Sequence, residues 1–127
     1  MPSEAIFTAL LHVGLLVTDV QRARSFYESV LGLVPLPNRP ALPYPGLWYG
    51  LNNHQQLHLM QLPNPDAGSI RPEHGGRDRH IALGVVQLDL LKARLDQAGV
   101  TYTHSKSGRA ALFCRDPDGN TLEFVQT

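Results

Sequence analysis

Four side chains in this sequence are of the types that hold a metal ion together: His12, His58, His80 and Glu123. They come from an echo. Leu11-His12-Val13-Gly14-Leu15-Leu16-Val17 is answered by Arg79-His80-Ile81-Ala82-Leu83-Gly84-Val85, and Gln56-Leu57-His58-Leu59-Met60 by Thr121-Leu122-Glu123-Phe124-Val125. The ligand pairs are separated by 46 residues in the first half and 43 in the second, which suggests one supersecondary unit used twice. Neutral imidazoles with a carboxylate suit zinc, iron(II), nickel(II), cobalt(II) or manganese(II), and a single cysteine, Cys114, argues against a thiolate site. Four protein ligands leave two cis positions of an octahedral ion for substrate oxygens, so the chemistry would be Lewis-acid stabilisation of an enolate or similar oxyanion.

Strands must position these residues. Residues 10–17 read as a buried strand, Thr18-Asp19 as a helix cap, and Val20, Ala23, Phe26, Tyr27, Val30 and Leu31 recur at helical spacing up to Gly32. Three strands follow at 33–37, 46–51 and 55–62, with Asn52-Asn53-His54 as a polar turn and the proline-rich 37–45 as a loop or edge. The second half repeats the order: a strand at 80–86, a helix at 88–98 ended by Gly99, then strands at 100–103, 109–115 and 121–126. Asp116-Pro117-Asp118-Gly119-Asn120 is a strong turn between the last two. Residues 63–78, with three prolines and three glycines, read as a linker or lid.

Strand parity places the candidates on one face. Leu11, Val13, Leu15 and Val17 oppose His12; Ile81, Leu83 and Val85 oppose His80; Leu57 and Leu59 oppose His58; Leu122 and Phe124 oppose Glu123. The aliphatic rows suit packing against helices, while glycine and alanine beside the polar residues leave space. Trp48 and Tyr49 must face opposite sides, in an order that parity alone does not assign.

At 127 residues, 43% hydrophobic and 17% charged, the chain fits a single folded domain, 1–127, with two repeated modules at about 8–62 and 79–127. Eleven basic residues balance eleven acidic ones with no basic block, which gives no reason to expect nucleic acid or an anionic membrane as partner. No run nears the ~18 apolar residues of a membrane span. The apolar start has no basic n-region and carries Glu4, so no secretory signal is expected and the cytoplasm is the expected location. Cys114, in an apolar strand-like run, reads as an inert buried thiol. His54, His74 and His104 read as solvated, and Arg71, Arg77 and Arg79 as a solvated loop surface that could alternatively clamp an anion.

The order strand, helix, three strands, twice over, resembles the vicinal oxygen chelate superfamily, which includes glyoxalases, bleomycin-resistance proteins and extradiol dioxygenases. The resemblance runs through His12 followed by Val17-Thr18-Asp19, Ser25-Phe26-Tyr27 leading to Leu31-Gly32-Leu33, His80-Ile81-Ala82-Leu83, and the turn at 116–120 feeding Leu122-Glu123-Phe124. It implies an α+β fold: two βαβββ modules forming a curved, cup-shaped mixed sheet with helices on the outer face, His12, His58, His80 and Glu123 converging as metal ligands inside. It further implies a divalent metal cofactor, a small-molecule substrate with vicinal oxygens, Glu123 as general base, and a homodimer whose site is either closed within one chain or built from modules of both subunits. His58 stands where glyoxalase-like members usually carry glutamate or glutamine, which weighs against lactoylglutathione lyase activity itself. Two alternatives remain: an extradiol dioxygenase or fosfomycin thiol transferase-like enzyme using His12, His80 and Glu123, with His58 as a supporting contact, and a metal-free binding protein of the bleomycin-resistance kind.

Overall fold

The computed structural model describes residues 4–52 and 54–127; Asn53, in the polar turn expected between two strands, lies outside them. Strand β1 (His12–Val17) leads into helix α1 (Val20–Tyr27), and strands β2 (Gly46–Gly50) and β3 (Gln56–Gln61) follow. Then come a 3-10 turn (Gly75–Arg77), β4 (Ile81–Val85), α2 (Leu88–Gln97), β5 (Tyr102–His104), β6 (Ala111–Arg115) and β7 (Thr121–Gln126). These form two mixed sheets, ordered β1-β3-β2 and β4-β7-β6-β5, the first and last strands of each half pairing in parallel. The α+β class is therefore as expected. No helix among the described residues is long and apolar enough to cross a membrane.

One expected strand, at 33–37, is reduced to a single antiparallel bridge between Pro35 and Tyr49. Pro35 and Pro37 lack the amide hydrogens a ladder requires, so pairing cannot propagate. The first sheet consequently has three strands where the second has four.

The aliphatic rows face the helices except at Leu11, which lies before β1 and is exposed. Val17, Leu57 and Leu59 from the first sheet and Leu112, Cys114, Leu122 and Phe124 from the second join Ala23, Phe26 and Tyr27 of α1 and Leu88, Leu91 and Leu95 of α2 in one core cluster. Each fully buried leucine contributes roughly 2 kcal/mol by removing its surface from water. Burial pushes the Cys114 thiol up to about 12, which fits an inert packing role.

Each helix is fastened to the strand that carries a candidate ligand. Asp19 caps α1 by accepting from the Gln21 amide at 2.8 Å, and the Gln61 carboxamide oxygen accepts from the Val20 amide at 2.9 Å. In the second half Gln126 does the same for Leu88 at 2.8 Å. Gln61 follows His58 by three residues and Gln126 follows Glu123 by three, so the caps are part of the echo. Gly32 and Gly99, at φ +81° and +71°, turn the chain after α1 and α2.

The 116–120 turn joins the halves. Asp116 accepts from the amides of Asp118 and Asn120, both at 2.9 Å, and from the Tyr27 hydroxyl at 2.6 Å. Asn120 donates to the Leu16 carbonyl at 2.9 Å, Thr18 bonds Asp118, and Arg22 donates to the Pro117 carbonyl. Burial raises the Asp116 carboxyl above its ordinary range, against the pull of its donors.

Candidate functional site

Ladder register carries the ligand residues to one face of each sheet and sets a small residue beside two of them: Gly14 is opposite His58, and Ala82 is opposite Glu123. On the other flank each meets an aromatic ring. Trp48 pairs with His58 across β2 and β3, and Phe113 pairs with Glu123 across β6 and β7. This also settles the Trp48 and Tyr49 question, since Tyr49 is fully buried in the core while Trp48 lies with the candidate ligands.

In the first sheet three rings stack. The His58 ring lies between Trp48, at 4.0 Å and 2°, and His12, at 4.1 Å and 16°. His58 Nε2 is 2.8 Å from Gln56 Oε1; as a donor there it leaves Nδ1 as the ring's acceptor. Burial, reinforced by His12 and by Arg39 from the proline-rich loop, lowers its pKa, favouring the neutral ring a metal requires.

In the second sheet Glu123 is almost fully buried, with its two oxygens differently engaged. Oε1 lies 3.3 Å from His80 Nε2, and Oε2 accepts from Arg109 Nη2 at 2.8 Å. His80 Nδ1 is 2.8 Å from the Asp78 carbonyl, which can only accept, so Nδ1 carries the hydrogen and Nε2 presents a lone pair. A lone pair facing a carboxylate oxygen needs a cation between them, a proton or a metal ion. The donor set therefore fits a divalent ion on chemical grounds.

The four expected ligands fall into two pairs, one per sheet. His12 and His80 line a common cleft of about 250 Å³, but among the described residues no three His, Cys, Asp or Glu side chains come together as a metal-holding group. Convergence of all four does not occur within one chain.

Several supporting residues were missed by sequence reasoning. Arg109 and Phe113 share the parity of the ligand face, so pairing through the 116–120 turn was the signal for Phe113; Arg109 lies just beyond the strand. Arg39 had no signal, since it arrives on an irregular loop. His74 is not merely solvated: its Nδ1 accepts from the Gly76 amide and its Nε2 meets the His104 carbonyl, both at 3.0 Å. Of the loop arginines, Arg71 pairs with Asp78 at 2.7 Å and Arg79 with Asp66 at 2.5 Å. Arg115 also grips Asp78, at 2.8 Å, and the Pro72 carbonyl at 2.5 Å, tying the 63–78 stretch to β6.

The model of the Glyoxalase/Bleomycin resistance protein/Dioxygenase superfamily matches residues 9–124, and the chain belongs to that family. It is 29% identical to a lactoylglutathione lyase of Haemophilus influenzae, over 92% of this chain and 91% of that protein. It is 30% identical to the glutathione transferase FosA of Serratia marcescens, over 91% and 79%. A glyoxalase family protein from Bacillus anthracis has the same fold, with a TM-score of 0.77 at 22% identity over 98% and 99% of the two chains.

Proposed function

We propose that this protein is a metal-dependent enzyme of the glyoxalase kind, a single domain of two modules. It acts in the cytoplasm as a homodimer on a small substrate with vicinal oxygens. The observation that carries the reading is the His80 and Glu123 pair, whose facing acceptors call for a cation. His12 and His58 of one subunit and His80 and Glu123 of the other would complete the ligand set, because neither pair suffices alone. When bound, a divalent ion supplies Lewis acidity toward the two oxygens. Trp48 and Gln56 fix the His58 ring, and the Asp78 carbonyl fixes His80. Oε2 is held by Arg109 and Oε1 faces His80, so Oε1 would be the oxygen toward the ion, and Glu123 would serve as general base on leaving it.

Complementation between subunits tests this. His12→Ala and Glu123→Ala variants should each bind no metal as homodimers. Mixed and allowed to exchange, they should recover about a quarter of the wild-type capacity, since half the dimers are hybrid and half of each hybrid's sites are intact. Monomers at full metal occupancy in sedimentation would overturn the shared site.

A second reading draws on the stack around His58. Covered on both faces and engaged at Nε2, His58 is placed as well to support His12 as to bind, which would leave His12, His80 and Glu123 as a three-ligand site of the kind dioxygenases and thiol transferases use. Under it, His58→Ala keeps metal binding; under the first reading it loses most of it.

A further inference from the structure

Beside His80 and Glu123 lies a pocket of about 290 Å³ whose lining is unlike the rest of this neutral chain. Three cationic side chains, Arg77, Lys106 and Arg109, reach it, together with the hydroxyls of Ser105 and Ser107 and the buried ring of Phe113. Its only carboxylate is Glu123, already held by Arg109. The lining therefore carries two positive charges beyond what its own acid offsets, in a protein whose formal net charge is zero.

The other arginines nearby each have a carboxylate partner. Arg71 and Arg115 both meet Asp78, and Arg79 meets Asp66. Among the described residues Arg77 and Lys106 have no acidic partner. Arg109 is oriented by two acceptors at once, donating from Nε to Ser107 Oγ at 3.1 Å and from Nη2 to Glu123. Ser107 is in turn 2.7 Å from Ser105, hydroxyl to hydroxyl, so the strip 105–109 presents a guanidinium and hydroxyls as one arrangement. His74, also in the lining, is tied to the His104 carbonyl, which holds the 3-10 turn bearing Arg77 against β5.

Unpaired cations, hydroxyl donors and an apolar floor are the components of an oxyanion site. We propose that this pocket binds an anionic substituent of the substrate, a carboxylate, phosphate or phosphonate, and so orients the molecule's reacting oxygens toward His80 and Glu123. The proposal deepens the functional reading above, which supplies the reacting end of that substrate.

The test uses full-length protein stripped of metal, titrated calorimetrically with inorganic phosphate and, separately, with acetate. Saturable binding of one or both is expected, phosphate the tighter if the substituent is tetrahedral and acetate if it is a carboxylate. The double variant Arg77→Ala, Lys106→Ala should weaken it at least ten-fold, and Lys92→Ala, on α2 beside Asp89, should leave it unchanged. No saturable binding of either anion, or equal binding by the double variant, overturns the subsite. Because no metal is present, that result leaves the metal reading standing. A protein that binds phosphate but no divalent ion overturns the metal reading and leaves the subsite in place.

Discussion

The indole of Trp48 lies flat on the imidazole of His58, ring centroids 4.0 Å apart and planes within 2°. Trp48 is the only tryptophan in the chain, so its emission reports on this ring alone. Addition of nickel(II) or cobalt(II) is expected to quench it strongly when the His12 and His58 pair takes part in binding. Fluorescence titration of His58→Ala should then show no saturable quenching, whereas unchanged quenching would remove His58 from the ligand set.

Asp78 is set for a pH effect on stability. Burial alone would raise its carboxyl, but hydrogen bonds from Arg115 and Arg71 and from the Arg79 amide hold it well below the ordinary carboxylate range. The unfolded chain then takes up this proton more readily than the folded one, so the stabilisation is present above about pH 4 and is lost as pH falls further. Asp78→Asn should cost about 2 kcal/mol at pH 7, less than a fully buried pair because its arginine partners are partly exposed. Urea midpoints at pH 5 and pH 3 should differ less in the variant than in the wild type.

Asp116 organises the turn that joins the halves. Tyr27→Phe removes one hydroxyl and leaves the carboxylate its amide donors, at a cost of about 1 kcal/mol. Asp116→Ala strands the Tyr27 hydroxyl and two amides at once and should cost about 3 kcal/mol in equilibrium unfolding. Equal costs for the two would show that the amide bonds contribute nothing.

Gln61 and Gln126 each accept from the first amide of a helix, and Gln126 also donates to the Val85 and Val86 carbonyls. Replacement of either by alanine should cost about 1 kcal/mol, as loss of a helix cap does. They share no partner, so thermal unfolding of the double variant should show the sum of the two single effects.

Much of this arrangement was legible from the sequence because a strand has a period of two and the segments repeat. That parity alone put His12, His58, His80 and Glu123 opposite the packed rows, and the turn at 116–120 followed from proline, glycine and two asparates in fixed order. The 33–37 segment looks like a strand by its apolar residues, yet Pro35 and Pro37 cannot donate to a ladder, so it forms only one bridge. Convergence of the four ligands failed within one chain for a different reason: parity fixes a face, whereas the distance between two sheets depends on how their edges meet. Arg39 and Arg109 were invisible because their places depend on loop conformation, which composition does not encode.

The carboxamide fasteners three residues beyond His58 and Glu123 have a consequence for how such a protein changes over generations. The strands that carry His58 and Glu123 are each bolted to a helix packed in the core, so the backbone positions of these two candidates are inherited from that chassis and not from the loops around them. The segments at 37–45, 63–78 and 104–108 act on side chains instead: Arg39 bears on His58, the Asp78 carbonyl meets His80, and Ser107 orients the Arg109 that holds Glu123. Change confined to the rest of the rim, with Arg39, Asp78 and Ser107 kept, can then alter what the cleft admits while the backbone beneath His58 and Glu123 stays where it was.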